Sequence, residues 1–446
     1  MIPEIGPALS NGEKGWAFGA PTEDLAAHGY GFSEHLVTGT ARSYDATPGT
    51  DLGADGRWDT LVAEKAGYRT RIQVVLPIDR SRFGGVMVMH WNNVTAGFDI
   101  GAPHPEEIFR AGYGWVGVTA QKVGIDGFPD AGNSLAAWDR ERYGTLVHPG
   151  DAYSFDIFGQ VARAARDGIG PFQRLDVELI VANGTSQSAS RIAGYVNGVH
   201  LHDRVFDGFM PTAHWGTPAR VTEQPRSTRG GMLVGDAQIR DDTGTPIFVV
   251  NSEAEVRAHF TSRQPDSDTY RFWEVAGAPH GTPSQMTVLQ PAMARDGRAP
   301  DMQENLERND VEWGFVQSAA LRHLVSWVRT GTAPPRFAPI EAGGDPVDIV
   351  RDAVGNAVGG IRVPQVAVPV AAQRGLNEMG GLSVLSGHRR DFTHEELSER
   401  YADADDYLRR YDAEVERCVA EGTVLAEDAD DVREIGRRLA KVAGLD

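Results

Sequence analysis

Two segments of this chain place reactive side chains where a fold could use them. The run Val177-Glu178-Leu179-Ile180-Val181-Ala182-Asn183-Gly184-Thr185-Ser186-Gln187-Ser188 reads as a buried strand, a sharp turn and a helix start, with Ser186 at the turn. A nucleophilic serine in such a turn takes a strained backbone conformation, and small residues two positions away on each side let strand and helix approach closely. Gly184 and Ser188 meet that need. The turn would aim the N–H of Gln187 and the helix N-terminus at one spot, where a developing oxyanion is stabilised. The pattern G-x-S-x-S is weaker than G-x-S-x-G, and a serine here also suits a helix N-cap.

A serine hydroxyl becomes a useful nucleophile at neutral pH when an imidazole takes its proton, and the imidazole needs a carboxylate to fix its tautomer. Tyr270-Arg271-Phe272-Trp273-Glu274-Val275-Ala276-Gly277-Ala278-Pro279-His280-Gly281 gives a strand ending in a Gly/Pro loop with His280 at its tip. That is the place of the base in the order serine, acid, histidine. The acid is sought after the strand that begins at Pro246, in the turn Ser252-Glu253-Ala254-Glu255. Spacing from the strand favours Glu255, whereas Glu253 points the same way if the chain stays extended. At least one of them only caps or solvates the loop.

The second oxyanion donor is expected in the loop His90-Trp91-Asn92-Asn93-Val94-Thr95-Ala96-Gly97, with Trp91 and Asn92 as candidates. The asparagines can also serve simply as turn formers. Gly112-Tyr113-Gly114-Trp115-Val116-Gly117 matches a dinucleotide-binding pattern, but its glycines enter a strand and do not open a helix, so no nicotinamide or flavin site is expected. His200 and His202 alternate at a helix end, and His394-Glu395-Glu396 lacks the second histidine of a zinc motif. No metal and no cofactor is called for.

These residues must be carried by a suitable scaffold. Apolar, β-branched runs at 70–76, 86–90, 115–119, 177–182, 205–210, 247–250 and 270–275 alternate with helix-length segments, which predicts an α/β protein with a mainly parallel sheet. Helices are expected over 154–166, 188–199 and 304–329, the last stopped by Gly331. Two stretches, 121–150 and 214–245, are too long for simple connections and read as lid-like insertions. Residues 332–375 look like an extended arm, and 391–446 turn helical and acidic. The expected organisation is one catalytic domain over about 1–340, with residues 341–446 packed on it as arm and helical extension.

Composition narrows the partners. The chain has 446 residues, 41% hydrophobic and 24% charged, enough to bury a large core. A formal net charge of −19 repels nucleic acid and anionic lipid, so neither nucleic acid nor membrane is an expected partner, and a small molecule is. The lone cysteine, Cys418, excludes an internal disulfide. Without a basic leader or a long apolar run, a cytoplasmic location is expected. A homo-oligomer stays open.

Taken together, Trp91 to Gly97, Gly184 to Ser188, Ser252 to Val256, Arg263 to Asp268 and Trp273 to His280 resemble the motifs of a large microbial family of α/β-hydrolase-domain proteins. The segment Gly359-Gly360-Ile361-Arg362-Val363-Pro364 is similar to that family's C-terminal arm, so the resemblance spans nearly the whole chain. It implies an α/β-hydrolase fold and a serine-dependent hydrolysis of a small-molecule carboxylic ester, with Ser186, His280 and an acid at Glu253 or Glu255. It tips the choice of acid to Glu253. An acyltransferase or lactonase would use the same residues, and a binding protein retaining the fold is the rival of another class. Position 90 is His where many members of the family carry an acid, and Thr185 stands for a commoner Gln.

Overall fold

The computed structural model describes residues 1–101, 105–222, 237–298, 305 and 307–445. Nine strands form one sheet: β1 (Glu4–Ala8), β2 (Tyr30–Ala46), β3 (Thr60–Pro77), β4 (Val86–Trp91), β5 (Gly114–Val118), β6 (Leu179–Thr185), β7 (Gly208–Thr212), β8 (Ile247–Ser252) and β9 (Tyr270–Val275). Their order is β1-β2-β3-β5-β4-β6-β7-β8-β9. β1, β2, β3 and β5 pair antiparallel, and every pairing from β5 through β4 to β9 is parallel. The parallel part therefore lines up the C-terminal ends of β4, β6, β7, β8 and β9 along one edge. In open α/β sheets that edge is where ligands bind.

The six longest helices are α1 (Ser154–Arg166), α2 (Gln187–Gly198), α3 (Pro283–Arg295), α4 (Gly314–Thr330), α5 (Ala404–Glu421) and α6 (Ala429–Val442). Strand residues alternate between the two faces of the sheet. Met87, Met89, Ile180 and Ala182 join Phe155, Phe158 and Val161 of α1 and Ile192 and Val196 of α2 in one core. Val86, Val88 and Val181 join Val316, Leu321 and Leu324 of α4 in the other. Each such fully buried leucine or valine contributes about 1.5–3 kcal/mol relative to exposure. With both faces covered, the strands read in the sequence as continuous apolar runs, such as the wholly buried VMVMHW of β4.

The expected α/β class and each of the seven expected strands have counterparts in the structure. The sheet is larger than expected on one side, because β1 and β2 were not anticipated and β3 begins at Thr60, ten residues before the expected run. β2 pairs along the whole of β3, from Tyr30↔Pro77 to Ala46↔Thr60. The exposed end of β3, Thr60–Lys65, carries only the three apolar residues Leu61-Val62-Ala63, too short a run to announce a strand. α4 begins at Gly314 instead of residue 304; the part of that expectation over 304 and 306 lies outside the described residues.

The segment 121–150 forms three short helices, Lys122–Asp126, Leu135–Trp138 and Arg140–Tyr143. Leu135, Trp138 and Tyr143 of the second and third pack with Phe18, Phe98 and Met293 of α3 in a separate apolar cluster. Of the insertion at 214–245, residues 223–236 lie outside the described residues. The arm continues the second core: Ile340, Ile349, Ala357, Ile361 and Val366 all belong to it, and Val275 of β9 bridges Ile361 in parallel. α5 and α6 build their own cluster around Tyr407, Tyr411, Val415 and the buried Cys418.

Candidate active site

β6 ends at Thr185, α2 begins at Gln187, and Ser186 between them has φ 63° and ψ −120°. A side-chain-bearing residue at positive φ stores strain, which clusters at functional sites. Two contacts explain why the turn is so tight. A Cβ at Gly184 would sit 2.7 Å from the carbonyl oxygen of Ser188 and 2.9 Å from Ile192. The N–H of Ser186 donates to the carbonyl of Thr212 at 2.9 Å, tying the turn to the end of β7.

The turn after β8 curls at once into a single 3-10 turn, Glu253–Glu255. Ser252 caps it, and Glu255 answers by accepting from both the N–H and the hydroxyl of Ser252, at 2.8 Å each, through one carboxylate oxygen. Its other oxygen, Oε1, lies 2.5 Å from Nδ1 of His280. The Glu255 side chain is fully buried, so this pairing is shielded from water. His280 is held by the loop beneath it: the N–H of Gly277 donates to Glu253, the amide of Asn309 to the carbonyl of Gly277, and the indole of Trp313 to the carbonyl of Pro279.

The structure brings Glu255, and not Glu253, to His280, which corrects the choice tipped by the resemblance. Glu253 points to the other side of the turn. Its Oε1 accepts from Arg351 at 2.8 Å and from the N–H of Gly375 at 3.1 Å, and its Oε2 accepts from the N–H of Gly277 at 2.7 Å. It joins the acid turn to the base loop and to the C-terminal arm.

The structure places Trp91 and Asn92 against the sheet. Trp91 is the last residue of β4, in register with Val118 of β5, with its ring buried against Phe155 and Phe158 and its indole N–H donating to Gln121. The N–H of Asn92 makes one more rung with the carbonyl of Val118, at 3.2 Å. Asn93 comes closer: its N–H donates to Ile100, and its amide donates to the carbonyl of Thr185 at 3.1 Å, beside the serine. Among the described residues the N–H of Val94 has no acceptor. Gln187 stands at the N-terminus of α2, where backbone N–H groups lack partners within the helix, and its side chain shares Oε1 of Gln121 with Trp91.

The loop after β4 is anchored by charges that the sequence did not single out. Asp99 accepts through one oxygen from Arg71 (2.8 Å), Thr119 (2.6 Å) and Asn92 (2.9 Å). Arg71 also meets Glu34 at 2.6 Å, and Glu34 meets Arg142 of the 121–150 insertion at 2.6 Å. Arg71, Glu34 and Asp99 are all buried, so each charge depends on the others for its solvation.

Trp215 is the other residue that sequence reasoning passed over. Its indole N–H lies 3.4 Å from Oγ of Ser186, and its ring stacks on that of His280 with centroids 5.1 Å apart and an interplanar angle of 23°. Serine and histidine thus lie against the same indole. It lies three residues past Thr212, the end of β7; the expected run stops at 210 and 214–245 reads as an insertion, which hides the one available signal, its nearness to a strand end. No group of three or more metal-ligating side chains occurs among the described residues, and no helix of theirs is long and apolar enough to cross a membrane.

A family model described as an alpha/beta hydrolase domain matches residues 5–434 of the chain. No curated protein matches it. Among solved structures it is similar to an arylesterase, at 12% identity and a TM-score of 0.29 over 52% of this chain and 82% of the other. It is also similar to a glucuronoyl esterase from Solibacter usitatus, at 10% identity and a TM-score of 0.29 over 61% of this chain and 80% of that one.

Proposed function

Because the chain belongs to the α/β-hydrolase domain family, we propose that it is a serine-dependent carboxylic ester hydrolase acting on a small molecule through an acyl-enzyme. The observation that carries this reading is the 2.5 Å pairing of Glu255 with His280, whose ring lies against the same indole, Trp215, as a serine held at φ 63°. A buried carboxylate on Nδ1 leaves Nε2 as the ring's free nitrogen and supports the positive charge the ring acquires. Ser186 attacks the ester carbonyl as His280 takes its proton, and the N–H of Gln187, with that of Val94 from the loop after β4, receives the oxyanion. The alcohol leaves with the proton from His280, and water, activated by the same imidazole, releases the acid.

The test is covalent labelling by a fluorophosphonate together with turnover of a short p-nitrophenyl ester. The wild-type protein is expected to be labelled at Ser186, and Ser186→Ala or His280→Ala to lose at least about a thousandfold in turnover while remaining folded. Folded protein that neither labels nor hydrolyses any member of an ester panel sinks the reading.

A further inference from the structure

We propose that Trp215 is a catalytic residue of this hydrolysis: its indole N–H holds the oxygen of Ser186, and its ring face carries the imidazolium formed at His280. The proposal rests on the ester-hydrolase reading above and goes beyond it. Two independent contacts support it, the 3.4 Å approach of the indole N–H to Oγ and the stacking of the ring on the imidazole. A Trp face within about 6 Å of a cation attracts it through the ring quadrupole, and a centroid separation of 5.1 Å falls inside that range.

The backbone is built to hold the indole there. Ala213, just past β7, has φ 52°, a conformation alanine seldom takes. Its N–H donates to the carbonyl of Val250 at 2.9 Å. His214 is then gripped at both ends by one side chain of β8: its N–H donates to Oδ1 of Asn251 at 2.7 Å and its carbonyl accepts from Nδ2 at 2.9 Å. A strained turn followed by a two-point amide clamp fixes the direction in which residue 215 leaves the sheet.

In the reaction, the O–H bond of Ser186 breaks as its oxygen bonds the carbonyl carbon, the proton passes to Nε2 of His280, and the carbonyl π pair moves to oxygen. The resting serine accepts from the indole, which leaves its own proton for the imidazole. Once protonated, the ring lies between the Glu255 carboxylate at Nδ1 and the indole face. When the tetrahedral centre collapses, the bond to the alcohol oxygen breaks and the alcohol takes the proton from Nε2. The indole proton is never transferred.

Two substitutions separate the contributions. Trp215→Phe keeps a ring on the imidazole and removes the donor, so kcat on p-nitrophenyl acetate is expected to fall about threefold to tenfold. Trp215→Leu removes both contacts, and the fall is expected to be about thirtyfold to hundredfold, with KM within about threefold of wild type. Losses confined to KM, or kcat within about twofold of wild type in both variants, overturn the proposal by making the indole a pocket wall only. A spectroscopic reading does not depend on the Leu variant folding. In full-length protein carrying 5-fluorotryptophan, the fluorine resonance absent from Trp215→Phe is expected to move as the imidazole is protonated, and to stay still in His280→Asn. A resonance that does not move in the wild type overturns the proposal. If Ser186 labels with a fluorophosphonate while the Trp215 variants keep their kcat, this inference fails alone; if Ser186→Ala retains activity, the hydrolase reading fails with it.

Discussion

Ser252, Glu253, Ala254 and Glu255 show how one turn decides between two carboxylates. In an extended chain residues two apart point the same way, and the sequence then offers Glu253 as readily as Glu255. The structure has a 3-10 turn instead, at about three residues per turn, so residues two apart diverge by about 240°. One carboxylate meets the imidazole and the other meets Arg351. Nothing in the local residue types announces that curl except the Ser252–Glu255 capping box, which is legible only when the turn is already suspected. The kinetic phenotypes differ. Glu255→Gln is expected to lower kcat about a hundredfold to ten-thousandfold, and, as a buried acceptor of the Ser252 N–H and hydroxyl, to lower stability by about 1–3 kcal/mol as well. Glu253→Gln is expected to keep kcat within about threefold and to lower stability by about 1–3 kcal/mol, since it removes a buried charged acceptor. Steady-state kinetics and thermal melts on the two variants check both.

At the level of elements, the strands that carry the site were readable and those that brace it were not. β4, β6, β8 and β9 are buried on both faces and announce themselves as apolar runs. β2 and the outer part of β3 mix polar and apolar residues, because part of their surface faces solvent and part faces the buried charges Glu34 and Arg71. Those charges matter to the site because Asp99 links Arg71 to the loop after β4, whose Asn93 reaches the carbonyl beside Ser186. A buried ion with one partner removed costs about 3–5 kcal/mol. Asp99→Ala is therefore expected to lower the unfolding free energy by that order, read as a lower urea midpoint, and to reduce kcat in the fraction that remains folded. Unchanged values in both would detach the loop from the charges beneath it.

Across the whole molecule, acid is expected to weaken the fold through its buried histidines. Burial pushes the imidazoles of His200 and His214 down to about 4, helped at His200 by Arg204 and Arg240, and holds that of His259 well below the ordinary value. The unfolded chain binds a proton at each near 6.5 and the native state does not, so stability is full above that pH and falls as pH drops towards 4. Each histidine contributes up to about 1.4 kcal/mol per pH unit in that window. Urea unfolding at pH 7 and pH 5.5 is expected to show this loss, and His259→Phe to reduce its slope. A midpoint independent of pH across that range counts against the assignment.

Arg351 and Gly375 grip the acid turn from about a hundred residues downstream. On the ribosome the serine, the glutamate and the histidine all emerge before the segment that steadies two of them. A nascent chain halted after residue 340 would carry every reacting group and still lack the brace that keeps the carboxylate turn and the histidine loop in register.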